Sequence, residues 1–379
     1  MHQRYEPSGS VSAFGRMAVE LDGRSDVHGL LVLACDGNGW TREEVDPVLS
    51  GLRTPVFGGI FPQVIFDGLN RERGTLVVTL PVHPRIAVIG GLSGPARETE
   101  TQVEAVADAW GAESADPYGT LLVFVDGLSS GIATLVQSLF FCFGLERNLV
   151  GGGAGSLSFR KAPCLITPEG LVEDGALLAH LPFRSGVGVA HGWTPVSHGM
   201  KVTEADRNVI RTLDWRPAFQ VYRELVEAHS GRSFDDTPFF DLAKGYPFGI
   251  NRLGAEVVVR DPLMVDDAQG LVCVGEVPTG SFVKLLHGTA DSLIAAAGRA
   301  TELAKASAPF NTESHHTALF IDCISRVLFL GDRMEQELAA AAAGRPLFGA
   351  LTLGEIANSG RDYLEFYNKT AVLALLAES

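Results

Sequence analysis

Thr75-Leu-Val-Val-Thr-Leu-Pro-Val-His-Pro-Arg-Ile-Ala-Val-Ile-Gly-Gly91 contains two apolar β-type runs separated only by Pro-Val-His-Pro. Parallel neighbours need a crossover of about a dozen residues or more, so strands joined this closely read as an antiparallel pair. Equally short connections recur in 164–193 and 254–288, which argues against a purely parallel, doubly wound sheet. Working outward, GLLVLACDG (29–37), TLLVFVDG (120–127), GAEVVVRDP (254–262) and LVCVGEVP (271–278) have the composition of strands buried on both faces. Helical patterns lie between them: TREEVDPVLSGL (41–52), RETETQVEAVADAWGA (97–112), WRPAFQVYRELVEAHSG (215–231) and TADSLIAAAGRATELAKASA (289–308). Thr41 is placed to cap the first, with Glu44 completing a capping box. The expectation is an α/β protein of two lobes, built from mixed, partly antiparallel β-sheets flanked by helices, with the boundary near residue 214. No repeat of 20–50 residues is evident.

Composition narrows the function classes. The chain has 379 residues, 46% of them hydrophobic and 20% charged, with a formal net charge of −15. That charge repels a phosphate backbone, and no Lys/Arg cluster interleaved with aromatics offsets it, so nucleic acid is not an expected partner. The N-terminus lacks the apolar core of a signal peptide, and no run reaches about 18 apolar residues. A cytoplasmic protein without membrane insertion is expected. Cys35, Cys142, Cys164, Cys273 and Cys323 are odd in number and far apart, and read as reduced core thiols.

Four constellations are candidates for chemistry. Gly151-Gly152-Gly153-Ala-Gly155 follows an apolar run and offers either backbone N–H groups to a ligand or a crowded bend. Gly127-Leu-Ser129-Ser-Gly131 is a literal GxSxG between a strand and a helix, the setting of a nucleophile elbow. Asp261 or Asp266 with His287, His315 or His316 are the conceivable triad partners, although nothing in the sequence ties them to Ser129; the other reading is an ordinary helix N-terminus. His191, beside Gly192 and Trp193 at the end of an apolar strand, suits either a pocket wall or a hydrogen-bonded structural role. Cys323-Ile-Ser-Arg326 and Leu353-Gly-Glu355 bring a thiol, a guanidinium and a carboxylate out of buried strands, as a structural ion pair or as a clamp for a polar ligand such as an amino acid.

Eight collinear elements resemble the FIST family of sensory proteins: Gly151–Gly155, His191-Gly-Trp193-Thr-Pro195, Lys201-Val-Thr203, Arg260-Asp-Pro-Leu263, Gly275-Glu-Val-Pro-Thr-Gly280, Cys323–Arg326, Leu353-Gly-Glu-Ile356 and Tyr367-Asn368-Lys-Thr370. The resemblance implies an N-terminal extension (1–28), a FIST N-like domain (29–213) and a FIST C-like domain (214–376). It also implies a non-enzymatic role, in which a small ligand, an amino acid or other metabolite, is bound for a signalling partner such as a histidine kinase, a diguanylate cyclase or a chemoreceptor. No kinase or cyclase segment is present, so output is expected through a separate protein. Ligand-site expectations fall on Gly151, Gly152, Gly153, Gly155, His191, Trp193, Cys323, Arg326, Glu355 and Asn368. One branch of the family resembles haem proteins; haem is the alternative cofactor, with His191 or His198 as its ligand, and a hydrolase using Ser129 is the alternative activity. Phe57–Ile65 replaces small polar residues of many relatives by bulky apolar ones, and Tyr367 stands where His is usual. A more apolar pocket is the expectation that follows.

Overall fold

The computed structural model describes residues 1–111, 119–144, 147–251, 257–312, 316–358 and 363–377. Its sheets are mixed, and helices flank them. The organising feature is a unit of roughly ninety residues that occurs three times.

In the second unit an opening strand (Arg85–Gly90) and a helix (Ala96–Gly111) precede a central strand (Thr120–Asp126). A second helix (Ile132–Phe143) leads to a parallel strand (Leu149–Ala154), a small hairpin (Leu165–Thr167 and Gly170–Val172) and a return strand (Gly175–Leu181). The return strand lies antiparallel between the opening and central strands. The first unit repeats this plan from His2–Glu6 to Thr75–Leu80, and the third from Arg184–Ala190 to Ala371–Ala377. Each unit lends its hairpin to another unit's sheet. Gln63–Phe66 pairs with Leu347–Thr352, Leu165–Thr167 with Val56–Phe61, and Glu355–Ala357 with Leu149–Ala154. The exchange closes the three units into a ring of contacts.

One position shows why the units share a geometry. Gly58, Gly151 and Gly349 each face the middle of the central strand, opposite Val32, Val123 and Phe320. A Cβ there would fall 1.8, 1.8 and 1.7 Å from the carbonyl oxygens of those residues. Only glycine permits the approach.

The third unit is interrupted after its opening strand. Residues 194–287 form an eight-stranded sheet, antiparallel throughout its described pairings, with helices Ala218–Ser230 and Phe239–Ala243 beside it. The boundary expected near residue 214 lies inside this sheet, between Val209–Leu213 and Arg216–Pro217, which pair with each other.

The apolar runs form strands, but the expected pairing of 75–80 with 85–90 is corrected. Thr75–Leu80 belongs to the first unit's sheet and Arg85–Gly90 to the second's. The short link from Pro81 to Pro84 carries the chain between sheets rather than around a hairpin. Arg85–Gly90 is also an edge strand, mostly half-buried, and not a strand covered on both faces. At the helix expected over 41–52, Thr41 makes no side-chain bond to the backbone; its hydroxyl instead donates to Glu44 at 3.4 Å. The capping box forms at Thr289 and Ser292, where a serine does the work usually given to Glu or Gln.

Candidate ligand cavity

The ring of units leaves a cavity of about 1060 Å³ where the second unit, the third unit and the inserted sheet meet. Each element reaches it for a local reason. Helix Ile132–Phe143 presents Ile132, Val136 and Phe140, spaced by one helical turn each, as an apolar wall. The turn before it is fixed by Asp126, whose carboxylate accepts Leu128 N at 3.0 Å and Asp174 N at 2.8 Å. From the third unit come Cys323, Leu353, Gly354, Leu364, Phe366 and Asn368. Gly354 has φ +94° and a Cβ there would meet the Phe366 ring at 2.3 Å, so glycine lets that ring lie across the turn. The inserted sheet supplies Arg260, Asp261, Leu263, Cys273 and Val274.

The buried end is polar. Asn368 is 1% exposed, and neither its amide oxygen nor its amide nitrogen has a hydrogen-bond partner among the described residues. Asp261 is buried beside it in the lining, with one carboxylate oxygen 3.0 Å from Lys369 Nζ and the other without a partner. Burial pushes the Asp261 carboxyl above the usual carboxylate range, and Lys369 pulls it back. Lys369 Nζ also donates to Lys244 O at 3.0 Å and stands 5.3 Å from the centre of the Trp193 ring. Arg260 is engaged with backbone: Nε donates to Glu276 O at 2.8 Å, and Nη1 to Val259 O and Phe366 O at 3.0 and 2.9 Å. Leaving a buried amide unbonded costs about 1–3 kcal/mol per group, a cost that Asn368 carries with both amide atoms shielded from solvent and from the open space of the cavity.

The residues singled out from sequence divide between this cavity and the core. Cys323, Asn368 and Ser129 line it. Burial pushes the Cys323 thiol up, and Ser325 donates to its sulfur at 3.0 Å, so the thiol is an inert wall group. Arg326 is corrected from ligand clamp to structural ion pair. It is fully buried, lies 3.1 Å from Asp322 and against Glu337, and donates to the carbonyls of His191, Leu293 and Lys369. Its partner is therefore not Glu355. Glu355 sits behind Cys323, accepting from Thr352 Oγ1 and Thr370 N, each at 3.2 Å, and burial pushes its carboxyl up to about 8.

Gly151, Gly152, Gly153 and Gly155 are strand and turn residues outside the lining: a Cβ on Gly152 or Gly153 would meet Gly354 O at 2.7 Å or Leu353 O at 2.5 Å. His191 and Trp193 do not line the cavity either. His191 Nδ1 accepts Trp193 N at 2.9 Å, and burial pushes the imidazole down to about 3; Trp193 Nε1 donates to Lys369 O at 3.1 Å. His198 is exposed, and no histidine is among the described lining residues. Ser129 Oγ donates to Asp174 at 2.8 Å, a carboxylate held below its usual range by the Ser93 and Ser129 bonds against the opposing pull of burial. Of the conceivable triad partners, Asp266 pairs with Arg211, His287 contacts Gly245 O and His316 contacts Arg345; His315 lies outside the described residues.

Sequence reasoning missed the apolar face of Ile132–Phe143 and undervalued Asp261 and Lys369. Their signal was present in Arg260-Asp-Pro-Leu263 and Asn368-Lys-Thr370, two of the collinear elements. Phe57–Ile65 lies in the first unit and lines no part of the cavity, so the expected apolar character comes from other residues. A second depression of about 350 Å³ lies around Asp22, Arg53 and His83, but Asp22 is already bonded to the Arg53 and Thr54 backbone there.

A threefold α/β framework thus encloses a large, mainly apolar cavity among the described residues. The chain belongs to the FIST family: FIST N domain and FIST C domain models match residues 30–216 and 218–358. FIST domains are associated with sensory signal transduction and small-ligand binding. No curated protein matches the chain. A crystal structure of a chorismatase is similar with a TM-score of 0.38 and 9% identity, over 99% of this chain and 98% of that one. Likeness at that level carries no argument about activity. No helix among the described residues is long and apolar enough to cross a membrane.

Proposed function

We propose that this protein is a sensor that binds a small, mainly apolar molecule in the cavity and passes the binding event to an output partner. The observation that carries the reading is the cavity itself, about 1060 Å³ and mainly apolar in its lining. Its walls come from both matched domains, so an occupant touches elements far apart in the chain. A ligand that prefers one disposition of those elements shifts their equilibrium by that difference in affinity, which is the physical content of a signal. Ser129 is bonded to Asp174 at 2.8 Å and burial holds the Cys323 thiol protonated, so both groups enter the reading as walls of a binding site. Haem through His191 or His198 finds no support from the cavity, which neither residue lines.

A thermal-shift screen of apolar metabolites tests the proposal, because a ligand at 100 Kd adds about 2.7 kcal/mol of stability. A stabilising compound whose effect is weakened in Val136→Trp, which pushes an indole from the helix wall into the cavity, is the expected result. A stabiliser indifferent to that substitution, or a Soret band in the purified protein, would replace the reading.

A further inference from the structure

Strained backbone collects at the cavity. Among the described residues, positive φ outside glycine falls on three aspartates, which tolerate that region, and on six others. Two of the six, Phe159 at +54° and Arg207 at +51°, line the cavity, and a third, Lys369 at +52°, pairs with the lining carboxylate of Asp261. Such conformations persist only where the surrounding structure enforces them, and they gather at ligand sites. Arg207 and Asn208 form the two-residue turn between Met200–Asp206 and Val209–Leu213, where glycine or asparagine is the ordinary first residue. The turn is fixed to the neighbouring chain: Val277 N donates to Arg207 O at 3.0 Å, Cys273 N to Asn208 O at 2.8 Å, and Asn208 Nδ2 to Cys273 O at 2.9 Å.

Most charged residues of the lining are already engaged. Arg260 donates to three carbonyls, Asp261 is held by Lys369, and Glu365 has a partner. The side chain of Arg207 is exposed and makes no hydrogen bond or ion pair among the described residues. Glu276 also lines the cavity, but it does not pair with Arg207 and it stands on backbone of ordinary φ. Arg207 is thus the lining cation that is both uncommitted and held at a conformational cost.

Resting on the sensor reading, we infer that the occupant of the cavity carries an oxyanion that pairs with Arg207, its apolar body lying against Phe159 and the helix wall of Ile132, Val136 and Phe140. A guanidinium presents its donors in a planar fork that matches a carboxylate. Phe159, 54% exposed, offers the apolar body a ring that little else covers.

The test is calorimetric titration of the full chain at neutral pH with three probes sharing one ten-carbon chain: decanoate, decanol and decylammonium, each below its aggregation limit. Decanoate is expected to bind at least about five-fold more tightly than decanol, with decylammonium weakest. Arg207→Gly is expected to bring decanoate and decanol to within about two-fold of each other and, by relieving the strained turn, to raise the urea midpoint of the ligand-free protein. Arg207→Lys, which keeps the charge and the strain, should retain a preference for decanoate. Phe159→Gly should weaken decanoate and decanol alike. Equal binding of decanoate and decanol to wild type, or tighter binding of decylammonium, would overturn the oxyanion assignment while leaving the sensor reading in place. An undiminished preference for decanoate in Arg207→Gly would refute the contact, and binding of none of the three would count against the sensor reading as well.

Discussion

Replacing Asn368 by leucine should stabilise the ligand-free protein, while the same replacement at Asn358 should weaken it. The two asparagines lie ten residues apart, and each is 1% exposed. Asn358 is fully used: its Oδ1 accepts Leu149 N at 2.7 Å and its Nδ2 donates to Arg147 O at 3.1 Å, tying the third unit's hairpin to the second unit's strand. Leucine there removes two bonds and strands the Leu149 N–H, at a cost of about 2–4 kcal/mol. Asn368 makes no such bonds, so leucine removes a donor and an acceptor that are desolvated without return. Relief of the two unpaired groups, less some misfit, amounts to a gain of about 1–2 kcal/mol. Urea unfolding of the two variants beside wild type reads both signs in one experiment. A loss of about 1 kcal/mol or more in Asn368→Leu would mean that its amide is a structural bond-maker, and the reading of it as unpaired would fail.

Three further outcomes follow from the same physics. Arg326→Met should lose about 3–5 kcal/mol in denaturant unfolding, since it leaves Asp322 and Glu337 buried without their cation. Glu355 carries a pH signature: burial raises its carboxyl from the ordinary 4.5 to about 8, so the folded state holds a proton that the unfolded chain releases. That contribution is complete below about 4.5 and is lost as pH rises through about 8, so wild type should fall relative to Glu355→Gln over that window by an amount on the order of a few kcal/mol. A difference constant with pH would remove Glu355 as its source. Gly151→Ala should yield little soluble protein, because the new Cβ lands 1.8 Å from Val123 O, whereas Gly90→Ala, with nothing within 4 Å, should change stability by less than about 0.5 kcal/mol.

Much of the fold was legible because local composition settles it. Runs such as Leu121–Val125 are apolar throughout and are buried throughout. Pairing was less legible, since Thr75–Leu80 and Arg85–Gly90 adjoin in sequence but join different sheets. The threefold repetition escaped because the units share a backbone and not a sequence: VFGGIF, LVGGGA and LFGALT agree at one shared register position, the third-place glycine. Of the site, Cys323 and Asn368 were reached through the family resemblance and lie on the cavity. Arg326 and Glu355 were misjudged as partners because a buried charge announces that it needs a counterion without saying which one. Asp322 and Glu337 answer that need for Arg326.

The three junctions between units differ in the residues that meet there. The first residues of the three exchanged hairpins that face a neighbouring strand at the same register are Val64, Leu165 and Glu355, opposite Ala350, Gly59 and Gly152. Two are apolar plugs and one is a carboxylate. Where the second unit's hairpin meets the first unit, Ser156 bonds Asp36 at 2.6 Å and Leu171 N bonds Asp46 at 2.8 Å, so that junction is laced shut. At the third hairpin the corresponding space is walled by the inserted sheet, which brings Arg260 and Asp261 into reach of Asn368 and Lys369. The insertion in the third unit thus supplies one wall of the cavity and is tied to the ring through the Lys369–Asp261 pair and the bond from Arg260 to Phe366 O.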